Sequence, residues 1–154
     1  MPHRPVSTPL AFAMLCAASC APSSRAPAYV PRAREVTITT VPLITREIAT
    51  VYPFVKEDLA KGGVLENKEV YGFEPSTITV VEGDTLHLTL INPEDDVHGF
   101  VLADLAVGLK PQSVTHATYV ARKAGLYQFK CAIFSHLPFM YGTLVVLAPS
   151  AIGQ

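Results

Sequence analysis

The sequence predicts an all-β sandwich or barrel, and three observations carry that prediction. Short segments of alternating apolar and polar residues recur between residues 68 and 147. Each is bounded by Gly, Pro or Asp, as half-buried strands joined by turns should be. Val and Thr are frequent, Trp is absent and thirteen prolines punctuate the chain, a composition that favours strands and turns over long helices. With 154 residues, one domain and an N-terminal extension are expected rather than two domains.

Residues 1–20 read as an export signal. "MPHRPVSTPLAFAMLCAASC" places Arg4 before an apolar run from Leu10 to Ala18, and small residues follow. The run is too short to cross a bilayer. Its end, "LCAASC", resembles a bacterial lipoprotein cleavage site, at which cleavage before Cys20 leaves that thiol to be acylated. Ordinary signal cleavage nearby is the alternative. Residues 21–34, "APSSRAPAYVPRAR", offer nothing to bury and are expected to form a flexible tether.

Residues 35–66 are expected to be a partly helical extension ahead of the domain. "VTITTV" (36–41) has strand character. Beyond it, Ile44, Ile48, Val51, Tyr52, Val55 and Leu59 follow helical spacing, and Gly62-Gly63 supplies a stop. Pro53 lies inside this pattern, so two short helical pieces are expected. The domain itself, residues 67–148, begins with "EVYGF" and "STITVV", turns at Glu82-Gly83-Asp84 and continues with "TLHLTLI". Four further strands are expected at "GFVLADL" (99–105), "SVTHATYV" (113–120), "GLYQFK" (125–130) and "YGTLVVL" (141–147), giving an antiparallel sandwich or barrel.

Charge excludes one class of partner. Twelve basic and thirteen acidic residues leave a net charge of −1 with no polybasic patch, so nucleic acid is not expected. The cysteines point elsewhere. If Cys16 leaves with the signal and Cys20 carries lipid, Cys131 stands alone, without a disulfide partner, in an oxidising compartment. A buried Cys or Met is ordinarily packing, and so is a Met such as Met140 taken singly. The set, however, is Cys131-x4-His136-x3-Met140 on a connection between two expected strands, with His98 upstream at a strand start after an acidic turn. Thiolate selects copper(I), zinc or iron–sulfur centres, and imidazole suits copper and zinc. Two His, one Cys and a weak Met are the ligand set of blue copper electron-transfer sites. Other polar residues have plainer readings. His87 alternates with Leu86 and Leu88 and points to solvent; His116 belongs to a Thr-rich strand as a structural residue. Glu94, Asp95 and Asp96 make a solvated turn. Leu137, Pro138 and Phe139 are open to two readings, inside the domain or on the surface around His136.

Residues 68–147 resemble a cupredoxin. "FEPSTITVVEGDTLHLTLIN" is similar to that family's early strands, "VHGF" to its first ligand histidine, "AGLYQFKC" to the strand entering the ligand cysteine, and "GTLVV" to its closing strand. The resemblance implies a Greek-key β-sandwich. It makes His98, Cys131 and His136 the strong ligands of one copper ion cycling between Cu+ and Cu2+, with Met140 the weak axial ligand. The loop has the azurin spacing. "VHGF" and Cys131-x3-Ser135 also resemble the binuclear copper domain of cytochrome oxidase subunit II and nitrous oxide reductase. Ser135 stands where that centre needs its second cysteine, and Phe139 where it needs a histidine, so one copper is implied. Gly99 departs from the Asn that often follows the first histidine, which leaves colour and potential open. The function implied is a membrane-tethered, exported (periplasmic or outer-face) carrier of single electrons between a redox donor and acceptor, and not an enzyme. A copper carrier or assembly factor for a respiratory oxidase is the alternative.

Overall fold

The computed structural model describes residues 28–151, so the expected signal, Cys16, Cys20 and the tether as far as residue 27 lie outside the described residues. The elements are β1 (Ala33–Ile44), α1 (Ile48–Val51), α2 (Lys56–Leu59), β2 (Val70–Glu74), β3 (Thr77–Val81), β4 (Thr85–Asn92), β5 (His98–Leu102), β6 (Leu105–Leu109), β7 (Ser113–Val120), β8 (Gly125–Lys130) and β9 (Tyr141–Leu147). A 3₁₀ turn at Pro53–Val55 separates the two short helices, where the proline interrupts the helical pattern.

Two sheets face each other. One has the order β2-β1-β4-β7 and the other β3-β9-β8-β5-β6. The expected all-β Greek-key sandwich is therefore present, but the expectation of purely antiparallel sheets needs correction. β1 runs parallel to β4, and β3 parallel to β9. The chain crosses from sheet to sheet after β2, β3, β4, β6 and β7, and of the consecutive strands only β1–β2, β5–β6 and β8–β9 pair. Alternation along one strand reports which face is buried and carries no information on the direction of its neighbour.

The expected boundary at residue 67 is corrected as well. β1 lies inside the four-stranded sheet, between β2 and β4, so the first part of the extension is integral to the sandwich. Its inward residue Ile38 is buried, as are Leu86, Leu88 and Leu90 of β4. The end of the tether is also fastened. Asp84, fully buried, accepts hydrogen bonds from the Tyr29 hydroxyl, the Arg32 amide and Arg34 Nε. A third difference concerns "GFVLADL", which divides into β5 and β6 around Ala103 and Asp104. Ala103 takes φ of 51°, a left-handed turn conformation that Ala rarely signals.

The core lies between the sheets. Phe73, Phe100 and Phe129 pack with ring centroids 5.3–5.6 Å apart, and Leu102, Leu109, Leu144 and Val146 close around them. Cys131 and Met140 belong to the same buried cluster, at the edge where β8 ends and β5 begins.

Candidate metal centre

β5 and β8 are paired over only two positions, Val101 with Lys130 and Leu102 with Phe129. Beyond Val101 the ladder stops, and the next bond between the two strands is made to a side chain. His98 and Cys131 border this break in the pairing, one from each strand end. In place of a ladder carbonyl, the Gly99 amide donates to Cys131 Sγ at 3.3 Å. The loop after Cys131 turns back through a 3₁₀ turn at Phe134–His136. Its two ends are tied, because the Cys131 amide donates to the Met140 carbonyl at 3.0 Å and the Met140 amide to the His136 carbonyl at 3.2 Å.

His98 Nδ1 and His136 Nδ1 stand 3.2 Å apart, and Cys131 Sγ is 3.7 Å from His136 Nδ1. The three ligand atoms lie within 4.8 Å of one another, and this is a group that could hold a metal ion. Metal bonds of about 2.0–2.1 Å to imidazole and about 2.3 Å to thiolate fit such separations around one ion. The donors are sequestered: Cys131 and Met140 have no exposure, His98 has 1% and His136 4%. Cys131 is the free cysteine of the described residues. Burial first, and His136 next, push His98 down to about 4. Burial lowers His136 too. Both imidazoles are thus kept neutral, with lone pairs available to a metal. His98 Nε2 is buried without a hydrogen-bond partner, on the side of the ring away from the Nδ1 that meets His136. The fourth residue of the expected set, Met140, is buried in the same core cluster as Cys131, to which its backbone carbonyl is bonded.

Several residues around the site escaped sequence reasoning. Tyr71 of β2 packs its ring 4.7 Å from both the His98 and the His136 rings. Its hydroxyl donates to Asp96 Oδ2 at 2.5 Å, with Glu69 Oε2 at 3.2 Å. Burial, then the bond to Asp96, push the phenol upward, so it remains protonated. A tyrosine at an inward strand position implies a partner for its hydroxyl, and that was the available signal. Asn92 is buried and organises the acidic turn before His98. Its Nδ2 donates to the Asp96 and Lys110 carbonyls at 2.8 and 2.9 Å, and its Oδ1 accepts from Thr40 Oγ1 and the Glu94 amide. The turn read as merely solvated therefore also carries Asp96 to Tyr71. Gly99 keeps a hydrogen bond to the Cys131 sulfur through its backbone despite lacking a side chain.

Above His136 lies a polar cavity of about 630 Å³, lined by Lys68, Glu69, Tyr71, Asp96 and Ser135 among others. Beside it the loop is apolar and outward-facing. Phe134 is 84% exposed, Phe139 38%, and Pro138 is exposed, with Leu137 half-buried. Of the two readings left open for residues 137–139, the surface one holds. His87 and His116 do not join the centre; both are exposed on the other sheet.

A fold of two facing sheets with a His₂Cys group at a strand gap defines the class. The chain belongs to the cupredoxin-like domain family, whose model matches residues 56–146. That family binds copper. Nitrous-oxide reductase of Stutzerimonas stutzeri is 36% identical over 69 residues, which are 42% of this chain and 11% of the reductase. Among solved structures, the copper nitrite reductase of Nitrosomonas europaea matches 77% of this chain and 43% of its own, with a TM-score of 0.53 at 19% identity. Auracyanin A, a blue copper protein from Chloroflexus aurantiacus, matches 75% of this chain and 99% of its own, with a TM-score of 0.49 at 18% identity. The chain thus spans about a tenth of the first relative and under half of the second. Among the described residues, no helix is long and apolar enough to cross a membrane.

Proposed function

We propose that this chain is an exported copper protein that carries single electrons between redox partners, held at the outer face of a membrane by lipid on Cys20. One observation carries the electron-transfer reading: a free thiol and two imidazole nitrogens, all buried, converge within 4.8 Å. His98, Cys131 and His136 are the strong ligands and Met140 the weak fourth. Copper held there supplies a one-electron couple.

The protein's own part is to hold donors still and to keep water out. The Gly99 amide steadies the thiolate, and Tyr71 wedges both imidazoles. Backbone bonds tie Met140 to Cys131 and to His136. Ligands that barely move demand little reorganisation when the charge changes. His136 is the way out for the electron, because it borders the cavity beside the exposed rim of Phe134, Pro138 and Phe139. A redox partner docks on that rim. Full burial of the donors favours a carrier of electrons over a carrier of copper, since delivery needs an exchangeable site.

The test is to add copper(II) to the metal-free protein, record the visible spectrum and titrate the redox couple. An intense thiolate charge-transfer band with reversible one-electron cycling is the expected result. Rapid loss of copper to a chelator would favour copper delivery, and no band at all would refute both readings.

A further inference from the structure

The two described histidines that the buried centre does not use stand together on the outer face of the four-stranded sheet. His87 is on β4 and His116 on the neighbouring β7, and both are exposed. The register pairs His87 with Thr118 and Thr89 with His116. The imidazoles are therefore diagonal neighbours on one face, with Cα atoms about 7–8 Å apart and Cβ atoms closer, within reach of ring side chains. On the other flank of β4, the register sets Glu35 of β1 opposite His87. Glu35 is exposed, between half-buried Arg34 and Val36, so it too points outward. It joins neither ion pair among the described residues. Glu35, His87 and His116 line one shallow groove of about 400 Å³, with Thr89 and Thr118 completing its walls. His116 Nδ1 lies 3.3 Å from Thr89 Oγ1, an exposed contact that gives way easily.

From this placement we infer that Glu35, His87 and His116 form a second, exchangeable site for a divalent transition metal, copper(II) or zinc(II). Two imidazoles and a carboxylate suit these ions, and the absence of sulfur from the set disfavours copper(I). Three adjacent strands fix the backbone, while the exposed side chains turn inward around the ion and water fills the remaining positions. His87 precedes the metal end of β4 at Asn92 by five residues, roughly 17 Å of strand. No ion can bridge the two sites, so the second binds independently of the first. Its solvent-facing donors also give it the lability that the buried centre lacks.

The experiment titrates metal-free protein with zinc(II) by calorimetry and with copper(II) by electron paramagnetic resonance. A second equivalent is expected, with the wide hyperfine splitting of copper bound by nitrogen and oxygen, beside the thiolate-bound signal. His87→Ala and His116→Ala should each weaken that equivalent by at least about tenfold, and Glu35→Gln should weaken it by less. All three should leave the thiolate band unchanged, which also shows that the variants fold. If no metal equivalent is weakened or lost in the His87→Ala/His116→Ala double variant, the inference is overturned. The zinc arm reads the site even if no thiolate band forms, so failure here is distinct from failure of the electron-carrier reading.

Discussion

Tyr71 concentrates at one side chain two demands that usually fall on different residues. Its ring fills the space against both imidazoles, while its hydroxyl holds Asp96 close to them. Tyr71→Phe separates these roles, because the ring stays and the donor goes. The bare Asp96 carboxylate, with Glu69 near it, then presents uncompensated negative charge beside the centre. That charge favours the more positive oxidised state, so the reduction potential should fall, as protein-film voltammetry would record. A hydrogen bond to a charged group is worth about 1.5–3 kcal/mol, and a loss of that order should appear in urea denaturation of the metal-free protein. A potential that does not move would mean that Asp96 is screened by the cavity above it.

Strands were legible in proportion to how far their own pattern decided them. β7, β8 and β9 occupy the segments that alternation marks out, because each turns one face to the core. β6 was hidden because its hairpin turns on Ala103-Asp104, without the Gly or Asn that a positive φ normally selects. The place of β1 in the sheet was hidden for a different reason: its partners, β2 and β4, are chosen by the crossing of the chain between sheets. A local device fixes β1 where it enters. Burial pushes Asp84 up, but hydrogen bonds from Tyr29, the Arg32 amide, Arg34 and the Val81 amide outweigh this and bring it down to about 2. Because the folded value lies below the unfolded one, the stabilisation is present above about pH 3.9 and is lost as pH falls towards 2. Asp84→Asn should remove about 2 kcal/mol at pH 7 and flatten acid unfolding across that window. Denaturation midpoints of both proteins between pH 2 and 5 would check it, and parallel curves would refute the assigned role.

Across the whole molecule, the metal site is where the sandwich is left open. The ligand types and the loop spacing could be read from the chain. The gap that receives them could not, because it is a missing stretch of pairing between β5 and β8. In the folded protein the gap is bounded by His98 on one side and by Cys131, His136 and Met140 on the other. An ion bound by both sides therefore cross-links two strand ends that have only two ladder pairs between them. Copper should stabilise the native state by mass action, by about 4 kcal/mol when free metal exceeds the dissociation constant a thousandfold. The gain should also be uneven in space. Amide exchange should slow most for residues 98–100 and 131–140, and little at the far end of β4 near Asp84, where the ion makes no contact. Hydrogen-exchange mass spectrometry of the metal-free and copper-loaded protein tests both statements. Protection that rises uniformly along the chain would show that copper adds only global stability. Protection confined to the two strand ends would show that the ion closes the gap.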